Sequence, residues 1–274
     1  MDARTKYNAL VKFERIPGRI RSNRKIYPVH KSLVPVEEEG RKFGQDISEW
    51  ILRYADMAND AQILDAGCGN GHTLLQMVRH TSRKGIGISI SDEEIRTARQ
   101  NFSLLYPELP VYFINQSYDE PLPGKYDAIV AVESLKHSAN LGKSLENLSA
   151  HLKPGGSFII IEDLFALLPD RDKNLELLKN EWALSHLYQL NDYTSFFREK
   201  NFLLQENIDL TRGVRFRNSG KLKKLISRYR AVKPWVMLSQ WKKVLNIFLA
   251  GFIYEDYYAQ GLLEYRMLKF VKKA

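Results

Sequence analysis

Over the middle part of this chain, segments with the hydrophobic pattern of a strand alternate with segments that have the hydrophobic pattern of a helix. Short apolar runs, typical of buried strands, occur at 61–66, 85–90, 111–115, 126–132 and 157–161. Between them, apolar residues three and four positions apart, typical of amphipathic helices, occur at 43–57, 72–80, 92–106 and 141–152. This alternation predicts a parallel, doubly wound α/β sheet.

The regular alternation ends after Asp163. The pattern predicts a helical segment over 164–190 with a break at Pro169, a helix over 192–200 and a strand over 202–209. Mostly helical sequence follows over 217–261, and 265–271 is the last predicted strand. We therefore expect an arm over 1–42, which has no clean periodicity, and one domain over 43–274 with helical insertions at about 164–200 and 218–261.

The first predicted strand runs into a glycine loop, Ile63-Leu64-Asp65-Ala66-Gly67-Cys68-Gly69-Asn70-Gly71. Glycines at every second position let the backbone turn tightly and approach a ligand closely. A helix that starts at about His72 places its N-terminus, which favours negative charge, against this loop. Since ligands of open α/β sheets lie beyond the carboxyl ends of strands, the loop predicts a site for a nucleoside-like cofactor.

The glycines follow the order G-x-G-x-G, with Asp65 two residues before the first, and not the dinucleotide order G-x-G-x-x-G. This pattern resembles the first motif of class I S-adenosylmethionine-dependent methyltransferases. The resemblance implies a Rossmann-like seven-stranded methyltransferase fold with an N-terminal arm and a C-terminal helical lid. It also implies that the loop packs against the methionine part of S-adenosyl-L-methionine, and that Asp65 helps to hold the amino group of that cofactor.

The second predicted strand points to a branch of that family. Gly87-Ile88-Ser89-Ile90-Ser91 is similar to the G-I-T-L-S stretch of cyclopropane fatty acid synthases and sterol or terpenoid C-methyltransferases. Ser89 stands where many members carry an acidic residue that binds the ribose, and Asp92 or Glu93 is a second source of that carboxylate. The cofactor-binding residues that the resemblance implies are Asp65, Gly67, Cys68, Gly69, Gly71, Ser89, Ile90, Gln116, Ser117 and Glu133, with Gln116 and Ser117 in the turn that meets the adenine.

Candidate catalytic residues follow the fourth and fifth predicted strands. Glu133-Ser134-Leu135-Lys136-His137 resembles the E-S-x-x-H stretch of small-molecule methyltransferases. The resemblance places Glu133 near the sulfonium and His137 on the acceptor side, where an imidazole suits general-base chemistry. Asp163 closes the fifth strand and is expected to face the acceptor, where it orients His137, accepts a proton or stabilises a carbocation.

Candidate acceptor-binding residues come from both ends of the chain. The family resemblance implies an arm that folds over the substrate and makes Tyr27 and His30 pocket residues. Arg212, Arg215 and Arg217 share a face if their segment is extended, and such a row suits a phosphate or diphosphate, with Arg215 at its centre. The aromatic residues farther on suit either a wall that stabilises a carbocation or the core of an ordinary amphipathic lid.

Charge is the unusual part of the composition. The net charge is +9 over 274 residues, with fifteen Lys or Arg against three Asp or Glu from Thr211 to the end. This excess suits a phosphorylated acceptor, an anionic membrane surface, nucleic acid or simply a solvated basic face. Only an interfacial helix is expected over 235–253, because Lys242 and Lys243 lie near its middle.

The single cysteine, Cys68, excludes an internal disulfide, and no apolar leader is visible, which favours a cytoplasmic protein, with contact at a membrane surface as an option. No metal-ligand spacing and no G-x-S-x-G elbow are visible, so a metal site and hydrolase chemistry have no support. The oligomeric state stays open.

Together these patterns predict an S-adenosylmethionine-dependent methyltransferase (EC 2.1.1.-) acting on a small molecule. C-methylation of an isoprenoid or lipid-like acceptor in natural product biosynthesis is favoured. The first alternative is O- or N-methylation of a secondary metabolite, quinone or sugar. Methylation of RNA is a further alternative, suggested by the basic ends, although no N-P-P-[YF] stretch follows the fourth strand.

Overall fold

The computed structural model describes residues 30–31, 33–34, 36–38, 41–43, 46–169, 173–182, 184, 186–235 and 239–273. For 36–38, 41–43, 173, 234 and 239–244 it describes the backbone path alone. Tyr27, expected in the acceptor pocket, lies outside the described residues.

The described strands form a hairpin and one large sheet. In chain order they are β1 (Val36–Glu38), β2 (Arg41–Phe43), β3 (Gln62–Ala66), β4 (Lys84–Ser89), β5 (Val111–Asn115), β6 (Tyr126–Val132), β7 (Leu152–Phe165), β8 (Phe202–Asp209) and β9 (Leu263–Lys272). The hairpin pairs β1 with β2. The large sheet has the order β5-β4-β3-β6-β7-β9-β8. Pairings among β3 to β7 are parallel, while β9 runs antiparallel to both β7 and β8.

Helices cover the sheet and follow its strands. They are α1 (Ile47–Tyr54), α2 (His72–Val78), α3 (Asp92–Leu105), α4 (Leu141–Ala150), α5 (Lys173–Trp182), α6 (Leu190–Glu199), α7 (Ser219–Val232) and α8 (Ser239–Ala259), with single-turn 3-10 helices at Leu135–His137, Thr211–Gly213 and Lys233–Trp235. The seven-stranded Rossmann-like methyltransferase fold expected from the sequence is therefore confirmed, with a mixed rather than an all-parallel sheet.

The core lies on both faces of the sheet, because the central strands are apolar on both sides. On β3, Ile63 packs into one buried cluster, and Leu64 and Ala66 pack into the other. All three side chains are fully buried. The strand that leads to the glycine loop is thus held rigidly from above and below.

The first predicted helix starts later than expected. The apolar spacing predicted a helix from residue 43, but Phe43 ends β2 and α1 begins at Ile47. Asp46 sets this start, because its carboxylate accepts the backbone N–H of Ser48 and satisfies a donor at the free end of the helix.

The prediction over 157–190 was wrong in part. Strand β7 continues through Leu164 and Phe165, which pair with Glu264 and Leu263 of β9, so these residues are not helical. The helix in this region is shorter than expected and covers Lys173–Trp182. Pairing with a strand some hundred residues downstream makes this stretch extended, and the local pattern of apolar residues does not reveal such a distant partner.

Part of the predicted arm crosses the sheet near the carboxyl ends of its strands. We call residues 30–31 and 33–34 the arm segment. Leu33 is buried and pairs with Val214, and the N–H of Val34 donates to the carbonyl of Gly213 at 2.7 Å. These contacts bring His30 and Lys31 to the edge where β6 and β7 end. Among the described helices, none has the length and hydropathy of a membrane span.

Candidate active site

The loop after β3 forms a tight cradle. Gly67, Gly69 and Gly71 all have positive φ angles, of 95°, 52° and 85°, which favour glycine. A Cβ on Gly67 would lie 2.4 Å from the Cβ of Ser134. The hydroxyl of Ser134 donates to the carbonyl of Ala66 at 2.6 Å, so the turn after β6 closes against the loop. Cys68 is buried in the same loop, and burial raises the pKa of its thiol.

Buried polar atoms at this loop have no partner within the described residues. They are Oδ2 of Asp65, Nδ1 of His72 and Oγ1 of Thr73. Burial raises the pKa of Asp65 to about 7. A buried carboxylate oxygen without a partner is costly unless a cation or donor pairs with it. The cradle and the carboxyl group therefore fit a ligand with an amino group and a shape that follows the loop, as S-adenosylmethionine has.

His72, the first residue of α2, is anchored from α1. Its Nε2 lies 2.6 Å from Oδ2 of Asp46, the residue that caps α1. Burial works against the charged form of Asp46, but His72 and Ser48 outweigh it and lower the pKa of Asp46 to about 2. The pair joins the two helices on either side of the cradle.

At the end of β4, the carboxylate near Ser89 belongs to Glu94. The hydroxyl of Ser89 donates to Oε2 of Glu94 at 2.6 Å and accepts the N–H of Ser91. Glu93, one of the two residues considered from the sequence, is held by Arg96 at 2.6 Å. The acidic group that the strand lacks is therefore supplied by the first turn of α3, and Ile90 lies next to it in the chain.

The turn after β5 is built by its own side chains. The amide of Gln116 donates to the carbonyl of Pro121, and the hydroxyl of Ser117 accepts the N–H of Asp119. Asn115 donates to the carbonyl of Ser89 at 3.0 Å and ties this turn to the end of β4. An adenine contact by Gln116 or Ser117 stays a prediction.

Beyond β6 and β7 lies a group of charged side chains that we call the ionic cluster: Lys31, Glu133, Lys136, Glu162 and Asp163. Asp163 is fully buried and accepts from the ammonium groups of Lys31 at 2.7 Å and Lys136 at 2.6 Å. Glu162 accepts the backbone N–H of Lys136 at 3.0 Å and lies 3.3 Å from its ammonium nitrogen. Glu133, at a φ of 50°, accepts the backbone N–H of Lys31 at 3.0 Å.

The carboxyl groups of the cluster titrate very differently. Burial opposes ionisation of Glu133 and Asp163, but the two lysines outweigh it, lowering the pKa of Glu133 to about 2 and that of Asp163 well below its ordinary value. For Glu162 burial prevails over the attraction of Lys136 and raises the pKa to about 7. Burial opposes the charged form of Lys136, but Asp163 and Glu162 outweigh it and raise the pKa of Lys136 well above its ordinary range.

Three tyrosines from α8 and β9, which we call the tyrosine cage, surround this cluster: Tyr254, Tyr258 and Tyr265. The hydroxyl of Tyr265 donates to Oε1 of Glu133 at 2.8 Å, and that of Tyr258 donates to Asp163. Burial raises the pKa of all three phenols, so they stay neutral donors.

Two of the three predicted catalytic residues share one environment. Glu133 and Asp163 meet in the ionic cluster, where the partners of Asp163 include Lys31, Lys136 and Tyr258. His137 ends the 3-10 helix Leu135–His137 and is half-buried. A role of His137 as a general base stays a prediction. His30 is half-buried beside the cluster, and burial lowers its pKa, so its imidazole is neutral near pH 7.

The arginine row does not form as expected. Arg212 lies in the 3-10 helix Thr211–Gly213. Even an extended backbone would turn Arg212 and Arg215, three positions apart, to opposite faces. Arg215 is exposed, and Arg217 is bound by Glu255. A phosphate contact by Arg215 stays a prediction.

Sequence reasoning missed Lys31, Lys136 and Tyr265 as site residues. Lys136 stood inside the quoted E-S-L-K-H stretch, and its position beside two strand ends was the available signal. Lys31 and Tyr265 come from distant parts of the chain, and only the fold brings them together. Among the described residues, no group of three or more His, Cys, Asp or Glu side chains has the arrangement of a metal site.

Comparison with known proteins agrees with this geometry. Residues 39–207 match a family model described as a methyltransferase domain. A Diels-Alderase from Talaromyces variabilis, named as S-adenosyl-L-methionine-dependent, is 28% identical over 132 residues, which are 47% of this chain and 44% of that protein. A sterol 24-C-methyltransferase from Aspergillus fumigatus is 23% identical over 185 residues, 63% of this chain and 48% of that protein. The matched parts thus span about half the length of these curated relatives.

The fold also matches a solved structure over nearly its whole length. A geranyl diphosphate C-methyltransferase from Streptomyces coelicolor, in complex with Mg²⁺, geranyl diphosphate and S-adenosyl-L-homocysteine, superposes with a TM-score of 0.67. The alignment covers 99% of this chain and 100% of that one at 13% identity. At this identity the likeness concerns the fold.

Proposed function

Because this chain belongs to the methyltransferase domain family, we propose that it binds S-adenosylmethionine and methylates a small molecule. The observation that carries the proposal is the buried carboxyl group of Asp65, whose Oδ2 has no partner within the described residues, at the base of a glycine cradle. A cationic amino group placed there would pair with this oxygen.

Each part of the cofactor has a candidate site in this chain. Gly67, Gly69 and Gly71 form the loop that we expect to follow the methionine part, since their positive φ angles favour glycine and side chains at Gly67 and Gly71 would clash with neighbouring residues. Ser89 with Glu94 offers a hydroxyl and a carboxylate for the ribose hydroxyls. Gln116 and Ser117 lie in the turn next to Ser89, where we expect the adenine to bind.

The ionic cluster and the tyrosine cage form the acceptor side of the site. When bound, S-adenosylmethionine supplies an electrophilic methyl group on a sulfonium centre. Asp163 and Glu133 carry negative charge where the acceptor becomes more positive, and the neutral phenols exclude water around them. Holding an acceptor in line with the methyl group is the main rate contribution that such a site makes.

For the acceptor, the named relatives favour C-methylation of an isoprenoid or lipid-like molecule, and O- or N-methylation is the alternative. A carbon acceptor acquires positive charge as it takes the methyl group, and carboxylates with aromatic walls stabilise such charge. For an oxygen or nitrogen acceptor, His137 would take the released proton. The relatives named as acting on a sterol and on geranyl diphosphate support the carbon acceptor.

Calorimetric titration with S-adenosylmethionine and S-adenosylhomocysteine tests the cofactor assignment. We expect micromolar binding that Asp65→Asn weakens by at least about tenfold, because the amide cannot pair with an ammonium group as a carboxylate does. Asp60→Asn is the matched control, since Asp60 is exposed and lies just before β3. Equal binding by both variants and the native protein would contradict the role of Asp65.

A transfer assay tests the reaction. Labelled methyl groups should pass from the cofactor to at least one member of a panel of prenyl diphosphates, phenols and amines. Cofactor binding without transfer to any of them would instead favour a cyclase reaction of the kind named for the Talaromyces relative. Absence of cofactor binding would overturn the proposed function altogether.

A further inference from the structure

The ammonium group of Lys31 lies inside the tyrosine cage. Its Nζ is 4.8 Å from the ring centre of Tyr265, 5.8 Å from that of Tyr254 and 6.0 Å from that of Tyr258. Oxygens of Asp163 and Glu133 lie 2.7 Å and 3.5 Å from the same nitrogen. Aromatic faces and carboxylates arranged in this way form a binding site for an organic cation.

The cage and its occupant belong to different parts of the molecule. Glu133, directly after β6, and Asp163 of β7 supply the carboxylates. The rings come from α8 and β9, and all three tyrosines belong to the buried core. Lys31 reaches the cage from the arm segment, whose backbone contacts to the rest of the chain include those of Leu33 and Val34 to the stretch at 213–214. The rings and carboxylates thus come from outside the arm segment, and Lys31 is held among them by its ammonium group and by its backbone N–H, which donates to Glu133 at 3.0 Å.

Charge balance restricts which molecule can take this place. Asp163 is fully buried, and Glu133 is 16% exposed, so both depend on ammonium groups for compensation. Replacing the Lys31 ammonium group by a neutral group would leave Asp163 with Lys136 as its one lysine partner among the described residues, and would weaken the compensation of Glu133. An uncompensated buried charge is strongly unfavourable. A cationic acceptor restores the balance that Lys31 provides.

We propose that the tyrosine cage, with Asp163 and Glu133, is the subsite for a protonated amine, and that the acceptor is an amine whose nitrogen takes the place of the Lys31 ammonium group. This rests on the proposed function of the site. It assigns the acceptor to the nitrogen class rather than the isoprenoid carbon class.

The transfer step begins with loss of a proton from the bound amine. The bound ammonium gives one proton to the base that the proposed function assigns to His137. The free nitrogen lone pair forms a bond to the methyl carbon while the carbon–sulfur bond breaks, and S-adenosylhomocysteine leaves with the bonding electron pair. The nitrogen is then positively charged again, and the cage stabilises the product cation.

Binding can be measured without any methyl transfer. With S-adenosylhomocysteine present, phenethylamine and its neutral counterpart 2-phenylethanol are titrated against the native protein, Lys31→Ala and Lys84→Ala. We expect the amine to bind at least about tenfold more tightly than the alcohol, and Lys31→Ala to tighten amine binding by about tenfold because the internal competitor is gone. Lys84 is exposed on β4 and serves as the matched control.

A second variant addresses the cage itself. Tyr265→Leu removes an aromatic face and the hydroxyl donor to Glu133, and should weaken amine binding while leaving binding of S-adenosylhomocysteine intact. In turnover, Lys31→Ala should lower the KM for amines without lowering kcat, whereas loss of a purely structural contact would lower kcat or leave the KM for amines unchanged.

Two results would overturn the inference. One is equal binding of the amine and the alcohol. The other is a Lys31→Ala variant that is folded and binds S-adenosylhomocysteine but does not bind the amine more tightly than the native protein. Either result would leave the proposed function standing, because cofactor binding is measured in the same samples. Transfer to a prenyl diphosphate with no transfer to any amine would likewise overturn it.

Discussion

Among single side chains, Asp65 sets the balance between stability and binding. Its pKa is raised by burial from the ordinary 3.8 to about 7. The folded protein thus binds this proton more tightly than the unfolded chain, so the contribution of Asp65 to stability is full below about pH 4 and is lost as pH rises through about 7. The loss amounts to at most about 4 kcal/mol at about 1.4 kcal/mol for each pKa unit.

Asp65→Asn should remove this pH dependence in the protein without cofactor. We expect its free energy of unfolding to exceed that of the native protein by a margin that grows between about pH 4 and about pH 7. Urea unfolding at several pH values measures the difference. A margin that stays constant over this range would mean that Asp65 is paired in the free protein. Stability gained together with cofactor binding lost is the expected signature of a functional carboxylate.

The sequence reveals a site residue when a recognisable motif contains it. Asp65 and its glycines are contiguous, and their backbone requirements are visible in the residue types alone. Glu94 was not identified beside Ser89 because the contact depends on the rotation of the first turn of α3. Lys31, Lys136 and Tyr265 were missed because a buried ion pair is a property of three-dimensional neighbours, and a lysine in sequence is most often a solvated one.

At the level of helices and strands, the junction between β3 and α2 is the most sharply determined feature. Gly71 has a φ of 85° and precedes α2 directly, and a Cβ on it would lie 2.7 Å from the ring of Phe113 and 2.8 Å from that of Phe102. Both the backbone angle and the space therefore require glycine.

Gly71→Ala should lower the free energy of unfolding by about 2–4 kcal/mol, through backbone strain of about 1–2 kcal/mol and crowding of similar size. Gly124→Ala is the control, because Gly124 has a similar φ of 76° but no atom within 4 Å of an added Cβ. It should show the strain alone, about 1 kcal/mol. Denaturant unfolding measures both, and equal losses in the two variants would rule out the crowding.

Strand and helix order over 61–161 was predictable because each parallel strand is buried on both faces and each helix has one apolar face. The element boundaries that were predicted wrongly are those that depend on pairing with another strand. The hairpin β1–β2 takes residues 41–43 away from the first helix, and β9 draws Leu164 and Phe165 into β7. A local apolar pattern in these stretches fits a strand or a helix equally well.

For the protein as a whole, the net charge of +9 is the main long-range feature. Helix α7 exposes five basic side chains, namely Lys221, Lys223, Lys224, Arg228 and Arg230. At low salt we expect sedimentation with anionic lipid vesicles and retention on heparin, and both should disappear at about 0.5 M salt as the charges are screened. Binding that survives this salt would indicate a specific contact instead.

The position of β9, inserted between β7 and the edge strand β8, has a consequence for biosynthesis. Tyr265, which closes the tyrosine cage, lies in a strand that pairs between β7 and β8, while the glycine cradle is made two hundred residues earlier in the chain. Chains emerge from the ribosome in order, and early segments begin to fold before later ones exist. A nascent chain can thus complete the cofactor half of the site well before its acceptor half, and translation must pass residue 272 before the two halves face each other.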